Sequence, residues 1–116
     1  MPSLVVDTHA AIWYLLQSSR LSTKASNAMD ETLNSGDSIF LASTAADRLI
    51  DGIQDSKSNW VLAPLDLAVS QELSKVPRDA VPDMPDRVIA ATALHLKLPL
   101  VTVDNRLRSS GIETIW

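Results

Sequence analysis

Along this chain, short apolar runs alternate with stretches whose apolar residues recur at helical spacing. Leu4-Val5-Val6 is a brief apolar run ending at Asp7. Thr8-His9-Ala10-Ala11 then opens a helix carrying Ile12, Trp13, Leu15 and Leu16. After a polar connection over 17–21, a solvated helix is predicted over Ser22–Asn34, with Ser22 as its cap and Ala25, Ala28, Met29 and Leu33 turned inward. Asn34 to Ser38 is a turn by composition, and Ile39-Phe40-Leu41-Ala42 a buried strand. A further helix is predicted from about Ala45 to Gln54, with Leu49, Ile50 and Ile53 as its apolar face and Asp47, Arg48 and Asp51 on it.

A polar break over 55–59 leads to Trp60–Leu65, an edge strand because Pro64 cannot serve a central ladder. Asp66 caps a helix over Leu67–Lys75 with Leu67, Val69 and Leu73 inward. A proline-punctuated loop runs through Pro85. Asp86 to Leu107 then forms one unit: an acid, a helix with Ile89, Ala90, Ala93, Leu94 and Leu96 as its stripe, an apolar strand over 98–103, and a second acid, Asp104. A turn at 108–111 precedes a last strand, Ile112–Trp116. Strands alternating with helices predict a three-layer α/β/α sandwich around a small parallel sheet, in a single domain of 116 residues.

Two acids follow apolar strands, Asp7 and Asp104, and a third, Asp86, opens a helix, where free amides and the dipole favour a carboxylate. Open parallel sheets place their ligands outside the carboxyl ends of neighbouring strands. Carboxylates converging there point to a metal site. Composition narrows the chemistry. There is no cysteine, which excludes disulfides, thiol catalysis and thiolate-bound zinc. The net charge is −4, so contact with nucleic acid needs a bridging cation, a local basic patch or a partner chain. No apolar run approaches the ~20 residues of a membrane span, and the start of the chain lacks the pattern of a signal peptide, so a cytoplasmic location is expected.

Leu4 to Trp13 resembles the opening of PIN-domain nucleases of the VapC toxin type, while Asp86 to Ala93 and Leu98 to Asp104 resemble that family's two C-terminal motifs. The resemblance covers about residues 4–44 and 62–116. It implies a metal-dependent ribonuclease using Mg²⁺ or Mn²⁺, with Asp7, Asp86 and Asp104 as ligands and catalytic acids. It further implies a toxin that acts on RNA, forms a homodimer and is silenced by a small antitoxin protein. Magnesium favours hard oxygen ligands and retains waters, which fits an all-carboxylate set.

The chain departs from the family pattern at one segment. The family's glutamate in the helix after Ile39–Ala42 falls on Arg48, a residue that cannot ligate a cation. Asp47 enters the site only by a one-residue shift, which turns a helical side chain by about 100°. Asp51 needs a longer reach, and the remaining reading pairs Arg48 with Asp7, Asp86 or Asp104 in place of a metal. The helical insert usual before the Trp60 strand is also shortened here. A rival reading is therefore a PIN fold that acts only through binding. A phosphoacceptor receiver domain is set aside, because no acidic pair follows the first strand.

The remaining assignments are supporting ones. Thr8 either orients Asp7 or caps the helix, and Asp83 and Asn105 are outer-layer residues around the acids. His9 is read as structural, and Trp13, Trp60 and Trp116 as packing residues. Arg87, Arg106 and Arg108 are either phosphate contacts or plain surface charges.

Overall fold

The computed structural model describes residues 3–42 and 60–116. Strands β1 (Leu4–Val6), β2 (Ile39–Ala42), β3 (Trp60–Ala63), β4 (Leu100–Val101) and β5 (Thr114–Ile115) form one sheet in the order β3-β2-β1-β4-β5, and every pairing is parallel. The chain steps outward from β1 to β2 and β3, then returns to the other side of β1 for β4 and β5. The order therefore reverses between β1 and β4, where such sheets form their ligand crevice. β3 lies at one edge, as Pro64 requires.

Helices cover both faces. The pleat sends Leu4 and Val6 to one side, with Ile39 and Leu41, against α1 (Thr8–Leu15) and α2 (Thr23–Asn34). Val5, Leu100 and Leu107 face the other side, against α3 (Leu67–Glu72) and α4 (Met84–Leu96). This is the expected three-layer sandwich, with β1 and β4 fully buried and β2 nearly so, hence continuously apolar, while the edge strands β3 and β5 are partly open. α4 is the central helix of its layer, buried at every position from Arg87 to Ala93. It ends at Lys97 in the left-handed conformation, with φ 57°. Among the described residues no helix is long and apolar enough to cross a membrane.

Several expectations are corrected. Asp86 does not open its helix: Met84 and Pro85 precede it in the first turn, where proline's fixed φ suits the helix and its missing N–H costs nothing. Ladder pairing in the 98–103 run is confined to Leu100 and Val101, and in the 112–116 run to Thr114 and Ile115. A short helix, α5 (Asn105–Arg108), replaces part of the expected turn. Leu16 and Leu67 point to solvent, being 72% and 75% exposed, and the buried contacts of their helices come from Ala10, Ala11 and Val69. In α2, Thr32 is fully buried along with Ala25 and Met29, its hydroxyl donating to the Ala28 carbonyl at 2.9 Å, while Leu33 packs partly buried against the same core, as expected. The helix predicted over 45–54, with Asp47, Arg48 and Asp51, lies outside the described residues.

Candidate functional site

At the carboxyl end of β1, Val6 is in register with Val101 of β4, so the next residues, Asp7 and Thr102, lie side by side. The Asp7 amide continues the ladder by donating to the Val101 carbonyl at 3.1 Å. Asp7 is also the N-cap of α1, its Oδ1 accepting from the Ala10 amide at 2.8 Å. Its Oδ2 accepts from the Thr102 hydroxyl. Thr102 in turn accepts from the Asp104 amide at 3.0 Å. One buried hydroxyl thus ties the two strand-end acids together. Neither alternative assigned to Thr8 holds: Asp7 caps the helix itself, and the hydroxyl that fixes it belongs to Thr102.

Asp104 caps α5, accepting from the Arg106 amide at 2.8 Å. Asp86 arrives from the other layer, in the first turn of α4. Its carboxylate makes no hydrogen bond among the described residues. Asp7, Asp86 and Asp104 line one cavity of about 590 Å³, with Thr8, His9, Trp13, Asp83, Pro85, Ile89 and Val103. Asp83 stands at the N-cap position of α4 without a capping bond and is exposed. Asn105 is exposed on α5 and is not among the cavity's lining residues.

The electrostatics reflect this crowding. Burial pushes the Asp7 carboxyl above the ordinary aspartate value of 3.8. The Thr102 and Ala10 hydrogen bonds and the charge of His9 work against that rise, and Asp104 adds to it. Asp86 is also raised, by burial first and then by the charges of Asp104, Asp83 and Asp7. Carboxylates such as Asp7 and Asp86, whose ionisation burial and neighbouring acids disfavour, would be relieved by a cation. The donor set, all carboxylate oxygen, suits a hard divalent ion. Among the described residues, however, no three acids or histidines stand close enough to grip one ion together. The fit is to an ion that keeps part of its water shell, as Mg²⁺ does.

The basic residues divide. Arg87 is buried at 6% exposure and turns away from the acids, its Nη2 donating to the Leu73 carbonyl at 2.7 Å. It is no phosphate contact. Arg106 and Arg108 are exposed on α5. Of the tryptophans, Trp60 is buried in β3, whereas Trp13 packs edge-on against Trp116 at 5.9 Å and also lines the cavity. Sequence reading passed over Thr102, although a lone hydroxyl two residues before an acid, inside an apolar run, was a visible signal. His9, read as structural, is exposed at the cavity wall.

Comparison with known proteins agrees with this architecture. The model of the PIN domain family matches residues 4–112. The fold is similar to that in a crystal structure of VapBC2 from Rickettsia felis bound to a DNA fragment from its promoter, with 12% identity, 97% of this chain and 96% of that one covered, and a TM-score of 0.68. It is also similar to a chain of a toxin–antitoxin complex from Klebsiella pneumoniae, with 15% identity, the same coverage of 97% and 96%, and a TM-score of 0.72. No curated protein matches the sequence. With its all-parallel β3-β2-β1-β4-β5 sheet and a family match spanning nearly its whole length, this chain belongs to the PIN domain family.

Proposed function

We propose that the chain is a VapC-like endoribonuclease that hydrolyses RNA phosphodiester bonds with Mg²⁺ or Mn²⁺. The observation that carries this reading is the meeting of Asp7, Asp86 and Asp104 in one cavity at the switch between β1 and β4 of a PIN-family chain. Those three residues would hold the ion. When bound, it would supply an activated water and offset the charge of the scissile phosphate.

The protein's own residues have distinct parts. Asp7 is the fixed member, held from two sides by the Ala10 amide and the Thr102 hydroxyl. Asp104 is oriented through its own amide by the same hydroxyl and through its Oδ1 by Arg106. Asp86, whose carboxylate makes no hydrogen bond among the described residues, is the acid whose oxygens are least committed to protein donors and so the one most open to the ion or its water. Ile89 and Val103 wall the cavity with apolar surface, which strengthens every charge interaction inside it.

By likeness to the toxin–antitoxin structures, a partner of this chain would be an antitoxin protein; a second copy of itself is the further partner that the motif resemblance implies. For the fourth position the options stay those of the sequence, Asp47, Asp51 or an ion pair of Arg48 with one of the three acids, with residues 47, 48 and 51 all outside the described ones. A second reading, a PIN fold that acts through binding alone, is favoured by two facts. Both Asp7 oxygens are already engaged by protein donors, and no ready-made three-ligand cluster exists among the described residues. Cleavage of RNA during a metal titration separates the readings. Metal-dependent cleavage that Asp7→Asn abolishes supports the nuclease, and cleavage that survives Asp7→Asn contradicts it.

A further inference from the structure

The acids make up only part of the cavity. His9 and Trp13 lie four residues apart on α1, on one face of that helix, with ring centroids 5.7 Å apart and planes inclined at 42°. His9 is exposed although the start of its helix is otherwise turned to the core, and Trp13 is braced from behind by Trp116. Both rings line the same cavity as Asp7, Asp86 and Asp104. Pro85, Ile89 and Val103 add apolar surface to the same cavity, and Val103 is 40% exposed. Coordinating a hydrated cation needs no aromatic lining and no apolar wall. A cavity of about 590 Å³ lined by both acids and aromatic rings matches a nucleotide, whose phosphate reaches a cation while its base stacks on a ring.

We propose that His9 and Trp13 form a stacking shelf for one nucleobase of a single-stranded chain, next to the phosphate that lies over the acids. The proposal rests on the nuclease reading only for what the acids do; the shelf itself is a binding feature. Stacking on aromatic rings accepts any base, because every base presents a π-face. The shelf therefore selects strandedness rather than sequence, since a base within a duplex has both faces covered. Trp13 supplies the rigid ring held by Trp116, and the exposed His9 extends the surface outward.

The test is binding of a short phosphorothioate-substituted single-stranded RNA, followed by fluorescence anisotropy in Mg²⁺, so that binding is read apart from cleavage. His9→Ala is the informative variant because the side chain is exposed and its loss leaves the core intact. We expect it to weaken binding about tenfold, the scale of one lost base stack. His9→Phe, which keeps a flat ring without the imidazole nitrogens, restores binding. An oligonucleotide of the same length made of abasic sugars binds as weakly to the unaltered protein and is indifferent to His9→Ala. Unchanged affinity in His9→Ala, no rescue by His9→Phe, abasic chains that bind as tightly as RNA, or no binding of any oligonucleotide each overturns the shelf. The two readings fail separately: the stacking pattern without metal-dependent cleavage keeps the shelf and rejects the nuclease, and cleavage without the pattern does the reverse.

Discussion

Thr102 is fully buried and uses its hydroxyl twice, donating to Asp7 and accepting from the Asp104 amide. Removing it leaves a buried carboxylate oxygen without its donor, which costs about 1–3 kcal/mol. Thr102→Val, nearly the same shape, should lose that much stability in urea unfolding and weaken metal-dependent cleavage, and Thr102→Ser should retain most of both. Equal behaviour of the Val and Ser variants would show that the hydroxyl does not organise the site. Asp86 predicts the opposite sign. Its folded pKa is raised, so the native state holds its proton more tightly than the unfolded chain does. Stability from this group is therefore present below the ordinary value of 3.8 and declines as pH rises through the raised folded value. In metal-free buffer at neutral pH, Asp86→Asn should raise Tm by roughly 2–4 °C, a modest figure because solvent screens part of the repulsion. A fall in Tm would contradict the crowding described here. Arg87 also runs against stability: among the described residues its buried Nε and Nη1 have no hydrogen-bond partner, while Nη2 donates to the Leu73 carbonyl. Arg87→Met, similar in volume and uncharged, should leave stability unchanged or increase it by about 1–2 kcal/mol. A loss above that size in thermal unfolding would mean that the bond to the Leu73 carbonyl outweighs the burial.

At the scale of elements, strands were legible because burial on both faces writes them as unbroken apolar runs, and the site acids because they end such runs. Their exact limits were not. Leu98 to Val103 is apolar apart from Thr102, yet only Leu100 and Val101 pair as β4; the Thr102 amide still donates to the Ile115 carbonyl at 3.2 Å, while its hydroxyl donates to Asp7. α5 escaped notice because four residues carry no helical period; its signal is the cap, Asp104 accepting from Arg106. Amphipathic stripes also misled. Leu67 fits the inner face of α3 by spacing, but it follows the Asp66 cap directly and points outward, leaving Val69 as the buried contact. Leu67→Ser should accordingly change unfolding free energy by no more than about 0.5 kcal/mol, as at other exposed positions. A cost of several times that would place Leu67 in a buried interface. The acids of the site were legible by type and position, whereas the hydroxyl joining two of them was not, because its role depends on the register between β1 and β4, which lie far apart in sequence.

For the whole molecule, the same sheet that defines the family membership places like charges where they repel. Asp7 from β1, Asp104 beyond β4 and Asp86 from α4 line one cavity, in a chain of net charge −4. On the proposed function, a bound cation would offset this repulsion. An ion that binds only the native state stabilises it in proportion to RT ln(1 + [L]/Kd), about 2.7 kcal/mol at a hundred times Kd. The most direct measurement is the electron paramagnetic resonance signal of free Mn²⁺ titrated with the protein, read beside Asp7→Asn and Asp86→Asn. The account predicts that the unaltered protein removes the free-ion signal with saturable stoichiometry, and that each substitution restores most of it. Undiminished free Mn²⁺ with the unaltered protein, or equal uptake by all three, would contradict the claim that these acids are a metal site.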